Sequence, residues 1–95
     1  MASLLPTTRY VTALGPIKME IVEFTGTVTL ATGGTQTGIS TADTFDSQLV
    51  RPLQVFIQID VENADNSTSS ISGKTVTFTN GGQTNVTARF LVFGF

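Results

Sequence analysis

The residues with the reach to do chemistry are few, and most of them are acidic. Seven carboxylates are spread along the chain: Glu20, Glu23, Asp43, Asp46, Asp60, Glu62 and Asp65. There is no histidine and no cysteine. Their absence removes the commonest general base, the thiolate nucleophile and metal ligand, and any disulfide. Asp60 and Glu62 fall on the same side of a strand pattern, and paired carboxylates across a sugar are how glycosidases work. Neighbouring acids on the wet face of a strand are more often plain solvated charges, and no base or orienting group accompanies them. With Asp65 they form an oxygen-rich cluster beside a polar loop. Calcium asks for roughly six to eight oxygens, and the spacing lacks the glycine and the closing glutamate of the regular acidic ligand loop. Gly33-Gly34 and Gly81-Gly82 are followed by neither a helix nor a lysine, so they read as turn glycines rather than phosphate cradles. Asn66-Ser67-Thr68 and Asn85-Val86-Thr87 match the N-glycosylation pattern, which has meaning only in a secreted chain. The expectation is a protein with no catalytic residue, no metal and no cofactor.

The composition fits that expectation. The chain has 95 residues, enough for one domain, with 40% apolar and only 13% charged residues and a net charge of −2. Disordered chains have the opposite balance. Nucleic-acid binding needs a basic stripe, and five scattered basic residues do not make one. The surface is kept polar by Thr, Ser, Asn and Gln, which suits strands and leaves few ions to desolvate when subunits meet. Met1-Ala2-Ser3-Leu4-Leu5-Pro6 lacks the basic and apolar regions of a signal peptide, and no run approaches the ~20 apolar residues of a membrane span. A chain made in the cytoplasm, without a membrane, is expected.

Strand patterns account for nearly all of the sequence. Residues 1–8, interrupted by Pro6, read as an N-terminal arm, with one β domain over 9–95. Arg9–Leu14 is a short strand closed by the Gly15-Pro16 turn. From Ile17 to Leu30, Met19 and Ile21 share one parity while Val22, Phe24, Val28 and Leu30 share the other. That predicts a bulge or bend near Ile21-Val22, a second soft point at Gly26, and a strand that serves two sheets. Ala31–Asp46 is a long loop with Ile39 and Phe45 as plugs into the core. Leu53, Val55, Ile57, Ile59 and Val61 alternate with Gln54, Gln58, Asp60 and Glu62, which predicts a half-buried strand at the centre of the core. Phe56 interrupts its wet face as an exposed anchor. Residues 63–72 form a polar loop. Lys74–Thr79 and Thr84–Phe95 pair as a hairpin around Asn80-Gly81-Gly82. No segment has helical spacing with a cap. The fold class is all-β, a compact antiparallel sandwich or barrel of about five to seven strands.

The end of the chain departs from what a sandwich strand needs. Val86, Ala88, Phe90 and Val92 occupy one face, and Leu91, Phe93 and Phe95 load the other, although a two-layer sandwich buries only one. Such an end is an aggregation hazard unless the same chain or another subunit covers it. We therefore expect an interface built from Leu4, Leu5, Phe56, Leu91, Phe93 and Phe95.

Taken together, Val11-Thr12-Ala13-Leu14-Gly15-Pro16-Ile17-Lys18-Met19-Glu20-Ile21-Val22, the Thr/Gly-rich stretch and Ser72-Gly73-Lys74-Thr75-Val76-Thr77-Phe78 resemble short β-rich virion proteins known from bacteriophage genomes. Members open with a strand after "LG-x-x-K", pass through a threonine-rich loop and finish in a hairpin, to which Val86–Phe95 is similar. The terminal phenylalanines depart from that pattern. The resemblance implies a structural protein located in the virion that decorates or cements a capsid. Its partners would be copies of itself, as a homo-oligomer, and the major capsid protein or other virion proteins. A tail or head-completion component is the near alternative, and a carbohydrate-binding or adhesin module the more distant one. The latter is weakened by the absence of Trp and the presence of a single Tyr, Tyr10. An enzyme is not expected.

Overall fold

The computed structural model describes residues 2–59, 68–79 and 85–95. The described residues form strands and connections, with no helix. The strands are β1 (Leu4–Leu5), β2 (Thr8–Ala13), β3 (Lys18–Phe24), β4 (Thr27–Leu30), β5 (Thr35–Thr37), β6 (Thr44–Asp46), β7 (Pro52–Ile59), β8 (Thr68–Ser72), β9 (Thr75–Thr79) and β10 (Ala88–Gly94). The all-β class is as expected, and the strand count exceeds five to seven because the long loop and the arm contribute short strands, the Ile17–Leu30 pattern divides into β3 and β4, and the expected polar loop over 63–72 holds β8 instead at Thr68–Ser72.

The major sheet has the order β2-β3-β10-β7, antiparallel throughout. Facing it are two smaller sheets, β1-β4-β5 and β6-β9-β8. A parallel bridge between Ser3 and Thr44 and a hydrogen bond from the Thr44 amide to the Ala2 carbonyl join their edges into one layer. Phenylalanines hold the layers together. Phe24 and Phe90 come from the major sheet, Phe45 and Phe78 from the other layer, and all four are fully buried. Phe24 and Phe45 lie 5.2 Å apart, and Phe45 and Phe78 lie 5.0 and 6.0 Å from Phe90. Tilted and edge-on packing of this kind adds to the area they bury. Ile39, expected as a plug with Phe45, is also sealed in the core.

Four expectations are corrected. The first is the bulge near Ile21-Val22. The register of β3 runs unbroken past these residues on both sides. Glu20, Val22 and Phe24 face the core while Met19, Ile21 and Glu23 face outward. The apparent phase change arose because a carboxylate holds one of the inward positions. The kink expected at Gly26 does occur: its φ is +59°, and the chain passes there from β3 in one layer to β4 in the other.

The second is the place of the Leu53–Val61 pattern. β7 is an edge strand, and β3 and β10 occupy the centre. Val55 and Ile57 are only half-buried, and Leu53 is 48% exposed. The pairing of β7 with β10 shifts between Phe93 and Gly94, so that Gly94 faces Pro52 and Leu53 is left over as a bulge. Gly94 is required there, since a Cβ would stand 2.2 Å from the Arg51 carbonyl oxygen. Val61 lies outside the described residues.

The third is the final hairpin. β9 pairs with β6 and β8, and β10 with β3 and β7, so the two strands belong to different layers. The true hairpin is β8–β9, turning at Gly73-Lys74 with Gly73 at a φ of +61°. A glycine at the first central position suits a tight hairpin turn. The loop expected at Asn80-Gly81-Gly82 lies outside the described residues.

The fourth is the arm. Residues 2–8 do not project from the domain: β1 pairs with β4, and Leu4 is only 2% exposed. The radius of gyration, 12.5 Å, agrees with the ~12.4 Å expected of a compact chain of this length.

Candidate functional site

Pairing register decides what the outer face of the major sheet displays. Opposed residues in antiparallel strands share a face. Tyr10 opposes Ile21, Ile21 opposes Leu91, and Leu91 opposes Phe56. An unbroken apolar row therefore crosses every strand of the sheet. The adjacent row is Thr12, Met19, Phe93 and Gln54. Phe93 meets Phe56 edge-on, with ring centres 5.8 Å apart. Among the described residues nothing covers the apolar row: Tyr10 is 63%, Phe56 56% and Leu91 37% exposed. A depression of about 190 Å³ opens within it, lined by Ile21, Phe56, Ile57, Gln58, Arg89 and Leu91.

On the other side the row is bordered by Thr8, Glu23, Arg89 and Gln58. Arg89 Nε donates to Glu23 Oε2 at 3.0 Å. Both side chains are partly solvated, so the pair adds little stability and acts as a polar rim.

The expected interface residues separate into three groups. Phe56, Leu91 and Phe93 come together on this face. Phe95 continues the parity of Leu91 and Phe93 at the end of the sheet, where it is 45% exposed and exchanges backbone hydrogen bonds with Arg51. Leu5 is exposed but lies in the other layer, on β1. Leu4 is removed from the set, because it is buried in its own core. Tyr10, Met19 and Ile21 belong to the face and were missed. The shared parity of Met19 and Ile21 carries the signal, which alternation alone cannot tell from a break in the strand.

Among the described residues the carboxylates do not converge on one point. Glu20 is fully buried and is held by Ser47 Oγ at 2.7 Å and by the Gln48 amide at 3.1 and 3.2 Å. Arg9 Nε lies 3.0 Å from Glu20 Oε2 in an ion pair without the alignment of a hydrogen bond. The Arg9 Nη2 group donates to the Asp46 carbonyl at 2.6 Å. Asp43, 3% exposed, accepts from the Ala2 amide at 2.9 Å, from Gln36 Nε2 at 2.8 Å and from the Ser40 amide at 2.9 Å. These acids tie loops and the N-terminal segment to the sheets. Sealed from solvent, they offer nothing to a substrate. Among the described residues no group of three or more acids is placed to hold a metal ion. Asp60, Glu62 and Asp65 lie outside the described residues.

No family model, curated protein or solved structure matches the chain.

Proposed function

We propose that this chain is a structural assembly protein that coats a bacteriophage capsid, meeting neighbouring subunits through the outer face of its major sheet. The observation that carries the reading is the uncovered row Tyr10–Ile21–Leu91–Phe56, continued by Phe93 and Phe95. The sequence resemblance to small β-rich virion proteins supplies the setting.

Magnitudes favour an array over a single tight contact. Side chains already half-buried have about 1–1.5 kcal/mol each left to gain. The six together supply about 6–9 kcal/mol, in the lower half of the roughly 4–15 kcal/mol that association costs. One contact is therefore weak, and many copies on a repeating surface add through multivalency. Subunits that bind only the assembled shell also stabilise it. A tail or head-completion component would use the same face in the same way.

Phe56, flanked on β7 by the amides of Gln54 and Gln58, with Tyr10 at the far end of the same row, also favours a second reading, a sugar-binding platform of aromatic faces with polar neighbours. One experiment separates the two. Empty phage-capsid shells are mixed with the chain and sedimented. Saturable, stoichiometric co-sedimentation that is lost in the Phe56→Ser/Leu91→Ser variant supports the coat protein. No binding to shells, with specific glycan binding by the soluble monomer, overturns it.

A further inference from the structure

The edge of the major sheet at β2 is unprotected in a way the other edges are not. β5 is short, β7 carries Pro52 and a bulge and lies beside β8, and β8 closes the other layer at that side. Edge strands are usually blunted by shortness, proline, bulges or charge. Thr8–Ala13 has none of these along Tyr10-Val11-Thr12-Ala13, and all four of those residues are exposed. Its one charge, Arg9, is turned inward onto Glu20.

The hydrogen-bond phase of this edge is fixed by its hairpin. The Leu14 amide donates to the Ile17 carbonyl at 2.7 Å, which makes that pair a hydrogen-bonded one. Alternation along the unbroken register then turns the backbone of Thr12 and Tyr10 toward β3 and that of Arg9, Val11 and Ala13 outward. Among the described residues no backbone group meets that outward row.

We propose that β2 pairs with β2 of a second copy of this chain, antiparallel about a two-fold axis at Val11, to join two major sheets into one. In that register Val11 faces Val11, and Arg9 faces Ala13 of the other copy. Every outward donor and acceptor on both strands then has a partner. Sliding the pairing by two residues leaves the groups of Ala13 or Arg9 unmet. No like charges oppose, and Tyr10 falls beside Thr12 of the second copy, so the apolar face continues across the junction. The contact is isologous and closed. It uses a strand edge rather than the sheet face, and so goes beyond the coat-protein reading.

The chain has no cysteine, which permits a direct test on the full chain. Hydrogen-bonded antiparallel residues have Cα atoms about 5.5 Å apart, within disulfide reach. Val11→Cys should cross-link to a covalent dimer under mild oxidation. Ala13→Cys, placed about 13 Å from its own copy in this register, should not. Equal cross-linking of the two variants, or none for Val11→Cys, overturns the pairing. Val11→Pro removes an outward N–H while sparing the bonds to β3. It should weaken self-association about 30-fold in sedimentation equilibrium with an unchanged melting curve. Unchanged self-association in this variant also refutes the proposal. Shell co-sedimentation that persists while Val11→Cys fails to cross-link leaves the coat reading standing and this one refuted, and the reverse result does the opposite.

Discussion

Glu20 occupies a position that alternation reserves for an apolar side chain, and it stays there because its oxygens are fully engaged. Arg9 supplies the countercharge, while Ser47 and the Gln48 amide supply hydrogen bonds. The Ser47 hydroxyl in turn accepts from the Leu49 amide at 3.0 Å, and Leu49 is buried. The carboxylate thus fixes the corner through which the chain leaves β6 for β7 in the other layer. Removing one partner of a buried pair strands the other, which typically costs about 3–5 kcal/mol. Glu20→Gln, which keeps the shape and loses the charge, should lower unfolding stability by about 3 kcal/mol in urea titration. A loss below about 0.5 kcal/mol, the usual range for a surface change, would show that the corner does not depend on this carboxylate. This position also shows where parity reasoning fails. Alternation cannot reveal that a buried acid will find an arginine from the neighbouring strand.

At the scale of the element, β7 and β10 exchange the importance their sequences suggest. The cleaner alternation belongs to β7, yet β7 takes the edge, because its partner β10 pairs with β3 on the other side. Alternation records that one face is drier than the other. It does not record how many strands lie on either side. β10 was legible as a strand with two apolar faces, and that property marks a central strand whose second face no described residue covers. The inward positions Val86, Ala88, Phe90 and Val92 were read correctly and are all buried. What could not be read was the partner of β9, since the choice between pairing with β8 or β10 depends on the closer turn at Gly73-Lys74. The two strands should respond differently to truncation. Phe90→Ala removes a ring packed against Phe24, Phe45 and Phe78 and should cost about 3–5 kcal/mol. Leu53→Ala, at a half-exposed bulge, should cost less than about 1 kcal/mol. Comparable losses in thermal unfolding would contradict the assignment of centre and edge.

At the scale of the whole molecule, the described residues form a sandwich with one sealed interior and one greasy face that none of them covers. Of the chain's phenylalanines, Phe24, Phe45, Phe78 and Phe90 lock the layers together, while Phe56, Phe93 and Phe95 lie on or beside the outer face. The surplus of apolar residues at the C-terminal strand was visible in the sequence. The breadth of the face was not, because Tyr10, Met19 and Ile21 reach it only through strand register. The proposed coat role needs both halves of this division, a core that survives alone and a surface that gains only in company. Hydroxyl-radical labelling of the aromatic residues, before and after assembly, tests the division most directly. In the dissociated chain Tyr10, Phe56 and Phe95 should react while Phe24, Phe45, Phe78 and Phe90 remain unlabelled. On assembly the first group should become protected and the second should not change. If the outer aromatics label equally in the free and assembled protein, the face is not where subunits meet and the account is wrong.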